Sequence, residues 1–251
     1  RRGEEPQGRP RGGGAKPEPH QGARAPPPRG EDVREARRLA PLALLIGAPA
    51  AAQIAPTPTP TPAPTPAPAA TAPERKMAAT IAAERERHVA LLARLVDQNS
   101  GSLNLAGVRL VGEMGRAELE PLGFAVEWID MAQTGRAGHL VATHRGNGRG
   151  KRLLLIGHLD TVFEPESPFR RFVRDGDRAT GPGIGDDKGG IVVIIAAMRA
   201  MQAAGTLDGA DIRIVLTGDE ERVGAPVAVA RRDLVAAGTW ADVALEFEIG
   251  A

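Results

Sequence analysis

Proline is distributed very unevenly along this 251-residue chain, and this feature most constrains what the chain can fold into. Five of the 22 prolines lie beyond residue 73, so the other 17 fall in residues 1–73. Proline has no backbone N–H and a fixed φ, so a segment this rich in proline does not build a helical or sheet core. We therefore predict one folded domain over residues 74–251, which is long enough for a single hydrophobic core.

The N-terminal third divides by composition into three segments. Residues 1–37 are rich in Arg, Gly and Pro and lack apolar periodicity, which predicts a disordered basic arm. Residues 38–52 place a short apolar run between basic and small residues, a pattern typical of a secretory signal peptide cleaved after Ala52. Prolines at positions 41 and 49 argue against the alternative, a short buried helix. Residues 53–73 alternate Pro with Thr or Ala, which predicts an extended polyproline II linker.

Composition excludes several classes of function. The chain has no cysteine, which excludes disulfides, thiolate metal sites and cysteine nucleophiles. Its net charge of +1 provides no overall field to attract a polyanion. The predicted signal peptide implies export to the periplasm or secretion. We therefore predict an exported protein with no nucleic-acid partner and no membrane partner after signal cleavage.

The folded segment alternates between helical and strand patterns. Apolar residues recur at helical spacing in four segments, 74–97, 108–119, 191–202 and 225–237. Alternating or continuously apolar runs predict five strands, at 124–129, 139–143, 153–156, 212–217 and 243–247. This alternation predicts an α/β domain with a largely parallel, mixed sheet covered by helices. Ligands of such sheets lie beyond the carboxyl ends of the strands.

One histidine and several carboxylates lie at the ends of predicted strands or in the glycine-rich loop at 181–190. They are His158, Asp160, Asp186, Asp187, Asp219, Glu220, Glu221, Glu246 and Glu248. His158 and Asp160 are two residues apart, so in an extended chain both point to the same face. Imidazole and carboxylates ligate zinc, and two zinc ions commonly share a carboxylate. The pattern therefore predicts an oxygen-rich zinc site.

Two alternatives apply to the same residues. The glycine-rich loop at 181–190 could cradle a phosphate, but its two acids would repel one and the Lys-Ser/Thr of a phosphate loop is missing. Acidic strand ends also suit Mg²⁺, as in a phosphotransfer enzyme. His158 as a ligand and the missing phosphate loop count against that second alternative.

Three motifs and a strand end carry a family resemblance: Gly157–Val162, Gly181–Gly190, Thr217–Glu221 and Phe247–Glu248. In this order and spacing they resemble the zinc-dependent exopeptidases that include glutamate carboxypeptidase, acetylornithine deacetylase and succinyl-diaminopimelate desuccinylase. The form of the 181–190 loop is most similar to the glutamate carboxypeptidase branch. The resemblance covers about residues 80–251.

The resemblance implies a site with two Zn²⁺ ions, for which Co²⁺ or Mn²⁺ could substitute. In it His158 and Glu248 would ligate one zinc, Asp186 would bridge both, and Glu221 would ligate the other. Asp160 would orient His158 and Glu220 would act as general base. A water activated by the two metals would hydrolyse an amide bond without a covalent intermediate. The resemblance also implies a cis peptide bond between Asp186 and Asp187.

The substrate implied by the resemblance is a small peptide or an N-acyl amino acid, with release of C-terminal glutamate as the favoured reaction. Deacylation or desuccinylation is the alternative within the family. The family has a further histidine ligand and a lid or dimerisation domain downstream of the last strand, and this sequence ends at Ala251. We therefore expect a fragment of a longer enzyme that could form a homodimer at full length. A truncated non-catalytic paralogue is the alternative.

Overall fold

The structure is a computed structural model that describes residues 69–248. The predicted basic arm (1–37), signal peptide (38–52) and most of the predicted linker (53–73) lie outside the described residues. Residues 249–251 lie outside them as well. Within residues 69–248, no helix combines the length and the apolar character needed to cross a membrane.

The first predicted helix is two helices in the structure, α1 (Ala72–Ala83) and α2 (Arg85–Asp97). The prediction of one continuous helix over 74–97 was wrong at Glu84, whose ψ of 10° departs from helical geometry. The Glu84 carboxylate accepts two hydrogen bonds from Arg199, at 2.7 and 2.8 Å. This contact lies 115 residues away in sequence, so helical periodicity could not reveal the break.

The remaining helices of four residues or more are α3 (Leu105–Leu119), α4 (Lys188–Ala203), α5 (Val227–Ala230) and α6 (Arg232–Trp240). The predictions of helices at 108–119 and 191–202 are confirmed. In the structure these helices begin earlier, at Leu105 and Lys188. The α3 helix begins after Asn104, whose side chain accepts a hydrogen bond from the Gly107 N–H and so caps the first turn. The prediction of one helix over 225–237 was wrong, because the chain leaves helical geometry at Arg231.

The strands are β1 (Ala125–Asp130), β2 (Gly138–His144), β3 (Arg152–His158), β4 (Val173–Asp175), β5 (Arg178–Thr180), β6 (Asp211–Thr217) and β7 (Val243–Glu246). All five predicted strands are present. The β4–β5 hairpin was not predicted, because strands of three mostly exposed residues carry no apolar alternation. The other five strands form one sheet in the order β1-β2-β6-β3-β7.

The sheet is mixed, as predicted, although parallel pairing is confined to three strands. Strand β3 pairs in parallel with both β6 and β7. Strand β2 is antiparallel to β6, and β1 is antiparallel to β2. Because β6, β3 and β7 run in the same direction, their carboxyl ends lie at one edge of the sheet. The motifs that follow these strands are therefore brought together.

Helices cover the sheet on both faces. The main core packs apolar residues of α2, α3 and α4 against one face, with Leu140, Ile212 and Ile214 among the strand residues that contribute. Alternate residues of the strands, Leu154 and Val215, face a smaller cluster with Ala237 of α6. Burial on both faces explains why the apolar run of β3 is continuous. It also holds the end of β3 rigidly at the carboxyl edge of the sheet.

Candidate metal centre

His158 is the last residue of β3, and its side chain is buried. Its Nδ1 lies 3.0 Å from the backbone carbonyl oxygen of Asp160. A carbonyl oxygen only accepts, so Nδ1 donates the hydrogen bond and carries the proton. In neutral imidazole this leaves the lone pair on Nε2, the atom available to a metal ion.

Two carboxylates lie in front of the Nε2 atom of His158. Asp186 Oδ1 is 2.7 Å away and Glu248 Oε1 is 3.7 Å away. One ligand atom from each of these three residues lies within 4.8 Å of the other two. Asp186 comes from the loop before α4, and Glu248 lies two residues beyond β7. The structure therefore brings together three of the four predicted metal ligands from distant parts of the chain.

Asp160 is fully buried and joins the ends of two strands. Its carboxylate accepts hydrogen bonds from the backbone N–H groups of Glu220 at 2.9 Å and Glu221 at 3.2 Å. It also accepts one from the Ser102 hydroxyl at 2.6 Å, and its Oδ1 lies 3.4 Å from His158 Nδ1. Asp160 thus lies beside His158, where the resemblance expects an orienting partner, and also holds the backbone of the two following glutamates.

Glu221 and Glu220 follow β6 at the same edge of the sheet. The Glu221 side chain is partly buried, and its pKa is raised by burial and then by the charge of Asp186. It is therefore within electrostatic reach of Asp186, although its carboxylate is not among the three groups that converge on His158. The Glu220 residue is exposed, and its N–H is anchored on Asp160.

Asp187 and Ser102 are two residues of the site to which the sequence analysis assigned no role. The peptide bond between Asp186 and Asp187 is cis, as the resemblance implied. The Asp187 carboxylate is buried and accepts a hydrogen bond from the His158 N–H at 3.0 Å. The adjacent pair of acids was a signal for Asp187. No local signal marked Ser102, which lies 58 residues before its partner Asp160.

Glycines at two positions make room for the buried carboxylate of Asp187. A Cβ atom added to Gly157 would overlap Asp187 Oδ2, and one added to Gly190 would overlap Oδ1. Gly157 precedes His158 on β3, whereas Gly190 lies in the first turn of α4. The close approach of strand and helix at this carboxylate therefore requires glycine on both sides.

The electrostatics of the site favour a cation. Burial alone would lower the pKa of His158, but the hydrogen bonds and charges of the surrounding aspartates, led by Asp160, raise it to about 10. Burial raises the pKa of Asp187 to about 7, and the charges of Glu248 and Asp186 act in the same direction. Burial also raises the pKa of Glu248. Crowded carboxylates that hold a proton on imidazole are a suitable environment for a divalent metal ion.

The other histidines of the described residues are not among the groups that could hold a metal ion. His139 Nε2 is 2.9 Å from the Ala230 carbonyl oxygen, and His144 Nδ1 is 2.9 Å from that of Ala210. His88 lies on α2, 3.6 Å from Glu84. Within residues 69–248 the donor set offered to a metal ion by His158, Asp186 and Glu248 is therefore one imidazole and two carboxylates, which suits zinc.

The comparisons with known proteins agree with this geometry. Residues 154–248 match the model of Peptidase family M20/M25/M40. Carboxypeptidase G2 of Pseudomonas sp. (strain RS-16) is 34% identical to the chain over 170 residues. Residues 154–248 are thus a Peptidase M20 domain. The alignment with carboxypeptidase G2 covers 66% of this chain and 39% of that enzyme.

Other relatives are similar to shorter parts of this chain. Succinyl-diaminopimelate desuccinylase of Novosphingobium aromaticivorans is 36% identical over 113 residues, which are 42% of this chain and 28% of that enzyme. The chain thus spans about two fifths of the length of carboxypeptidase G2 and under a third of the desuccinylase.

Solved structures share the fold. Human carnosine dipeptidase 1 superposes with a TM-score of 0.56 at 20% identity, over 68% of this chain and 40% of that chain. The M20 family metallo-carboxypeptidase Sso-CP2 of Sulfolobus solfataricus superposes with a TM-score of 0.51 at 18% identity, over 65% of this chain and 37% of that chain. At these identities the likeness concerns the fold alone, and it confirms the predicted α/β class.

Proposed function

We propose that the protein is a metal-dependent hydrolase that cleaves an amide bond of a small peptide or an N-acyl amino acid. The observation that carries the proposal is the convergence of His158, Asp186 and Glu248 at the carboxyl edge of the sheet. Carboxypeptidase G2 as a relative favours a carboxypeptidase reaction. The resemblance of the 181–190 loop to the glutamate carboxypeptidase branch favours release of C-terminal glutamate. The desuccinylase relatives favour a second candidate, removal of an N-succinyl or other N-acyl group.

The proposed ligands are His158 and Glu248 for one zinc ion, Asp186 for both ions, and Glu221 for the other. Co²⁺ or Mn²⁺ would suit the same donors. Metal ions bound there would polarise the scissile carbonyl and lower the pKa of a water molecule toward neutrality. The proton on His158 Nδ1, donated to the Asp160 carbonyl, leaves Nε2 as the ligand atom.

Glu220 is the proposed general base. Its carboxylate would take the proton of the attacking water and deliver it to the leaving amine. The Glu220 N–H donates to the buried Asp160 carboxylate at 2.9 Å, which holds the Glu220 backbone in place. Because the Glu220 backbone is held in place and its side chain is exposed, the carboxylate can reach a substrate from a fixed point.

Hydrolysis by the full-length protein tests the proposal. Metal-stripped protein would be loaded with Zn²⁺, Co²⁺ or Mn²⁺ and assayed on N-acyl-glutamates, on dipeptides with C-terminal glutamate, and on N-succinyl-diaminopimelate. The ratio of the rate on the dipeptides to the rate on N-succinyl-diaminopimelate separates the two candidate reactions, since both reactions would cleave an N-acyl-glutamate. Glu220→Ala should lower kcat by about 10²-fold or more, because general base catalysis typically contributes that factor.

Glu127→Ala is the control variant, since Glu127 is an exposed carboxylate on β1, outside the proposed site. It should retain wild-type kcat. A wild-type protein that binds metal but hydrolyses none of the three substrates would contradict the proposal for these substrates and support a non-catalytic role. Full activity in Glu220→Ala would contradict the proposed base.

We also propose that the protein is exported to the periplasm or secreted, on the basis of the apolar and small residues at 38–52. N-terminal sequencing of the protein recovered from the periplasm or medium should begin at Gln53. Recovery of the uncleaved chain in the cytoplasm would contradict this proposal. A homodimer of the full-length protein stays a prediction, which light scattering in solution would test.

A further inference from the structure

Glu220 and Glu221 lie near the start of the connection from β6 to α6, residues 218–231, which includes the short helix α5. The two ends of this connection, called the 218–231 loop below, are bound to each other. Asp219 is fully buried, and its Oδ1 accepts a hydrogen bond from Arg231 Nη1. Arg231 Nη2 also donates to the Asp219 backbone carbonyl at 3.1 Å. Asp219 Oδ2 accepts a third hydrogen bond from the Gly224 N–H at 2.9 Å. One buried carboxylate thus binds both the middle and the far end of the loop.

A buried histidine joins the same two ends a second time. His139, on β2, lies between Gly218 and Ala230. Its Nε2 donates to the Ala230 carbonyl oxygen at 2.9 Å, because that oxygen only accepts. Its Nδ1 therefore carries the lone pair and accepts from the Gly218 N–H at 3.1 Å. A single tautomer of the ring satisfies both contacts, so His139 holds both ends of the loop against the sheet.

These contacts act on the backbone that Asp160 also binds. The Glu220 and Glu221 N–H groups point at Asp160, and the residue before them is the buried Asp219. If the far end of the loop were free, Asp219 would lose its cationic partner and the chain after β6 could turn away from Asp160. The direction of the two glutamates therefore depends on Arg231 and His139, although neither is among the proposed ligands.

Stability alone is a poor explanation for this arrangement. Replacing a buried ion pair with apolar residues of similar volume is often neutral or stabilising, whereas ion pairs of this kind can specify one conformation. We propose that Asp219, Arg231 and His139 are positioning residues that hold the backbone of Glu220 and Glu221 against Asp160. The inference rests on the proposed function for its catalytic consequence, but its structural content does not depend on activity.

Arg231→Met in the full-length protein is the variant that tests the inference, and Arg199→Met is its matched control. Both arginines bind a carboxylate, Asp219 or Glu84, and both side chains are 21% exposed. Arg199 lies on α4 and its partner lies between α1 and α2, so its loss should affect only that contact. Arg231→Lys keeps the positive charge and should show a smaller change from wild type than Arg231→Met.

Hydrogen exchange detected by mass spectrometry gives a readout that is independent of activity. Peptides covering residues 217–224 should exchange about tenfold faster or more in metal-free Arg231→Met than in wild type, because the Glu220 and Glu221 amides are no longer held against their acceptor, Asp160. The same peptides should be unchanged in Arg199→Met. In the metal-loaded enzyme, Arg231→Met should lose about 10–100-fold in kcat or in affinity for one of the two metal ions, with KM changed less than kcat.

Equal exchange at residues 217–224 in Arg231→Met and Arg199→Met would overturn the inference. If Arg231→Met does not fold, His139→Asn replaces it, since an amide side chain can make one of the two His139 contacts but cannot span both. Unchanged exchange in His139→Asn would likewise overturn the inference. An inactive wild type with faster exchange in Arg231→Met would refute the proposed function and leave the positioning role supported.

Discussion

The buried charge of Lys188 leads to a prediction whose size follows from the structure. Lys188 is 1% exposed, and its Nζ donates to the backbone carbonyl oxygen of Gln98 at 2.8 Å. Burial lowers the pKa of Lys188 from its ordinary value of 10.5 to about 8, although the charge of Asp97 opposes this change. The unfolded chain therefore holds a proton between pH 8 and 10.5 that the folded protein has released.

The contribution of Lys188 to the free energy of unfolding should rise with pH in that window, since at this residue the unfolded state binds more protons. A difference of about 2.5 pKa units corresponds to about 3 kcal/mol at 1.36 kcal/mol per unit. Below pH 8 Lys188 is protonated in both states, so the folded protein bears the whole free-energy cost of burying its charge. Lys188→Met removes this cost at pH 7. It also loses the hydrogen bond to Gln98, which reduces the gain in stability by about 1 kcal/mol or more.

Urea unfolding of metal-free protein at pH 7 to 10.5 tests this reasoning. The stability advantage of Lys188→Met over wild type should decrease by about 3 kcal/mol between pH 8 and 10.5. Contributions of other groups, His158 among them, are common to both proteins and cancel in the difference. Lys151→Met is the control, because the side chain of Lys151 is exposed and should give no such trend. A constant difference for Lys188→Met across this range would refute the reasoning.

Three further predictions concern the metal centre. Gly157→Ala should displace the Asp187 carboxylate and lower metal affinity about tenfold in competition titrations, whereas Gly150→Ala, in open space, should have no effect. In metal-free protein the His158 imidazole should titrate near pH 10 by NMR, and Asp160→Asn should lower that pKa. The contribution of protonated His158 to the free energy of unfolding should be complete below about pH 6.5 and lost as pH rises through about 10. Removing the metal with a chelator should lower the unfolding midpoint, and zinc at 100 times its Kd should restore about 2.7 kcal/mol. An unchanged midpoint would contradict binding of zinc to the folded protein.

Local patterns predicted the type of nearly every regular element, and the two segments wrongly predicted as continuous helices have a common cause. The helix breaks at Glu84 and Arg231 coincide with ion pairs to Arg199 and Asp219. Helical periodicity reports which residues face the core, and it continues across a break when both helices pack on the same core. Contacts made by one side chain to a distant residue leave no trace in that periodicity.

The candidate site was predictable in part. His158, Asp186 and Glu248 were identified because acids and an imidazole follow strands whose carboxyl ends share an edge of the sheet. The resemblance assigned their roles, and the structure shows their ligand atoms within 4.8 Å of one another. The hydrogen bond from Ser102 to Asp160 and the one that Asp187 accepts were not predicted, because they depend on how loops fold over the sheet.

The sequence by itself determined the proline-rich start, the alternation of strands and helices and the motifs of the M20 family, since each of these is a property of neighbouring residues. Only the tertiary structure decided which strands are neighbours, with β3 between β6 and β7. That order sets which carboxylates face His158 and which buried groups bind the 218–231 loop. Strand order arises from hydrogen bonds and core packing between segments far apart in the chain, and local sequence patterns do not record such contacts.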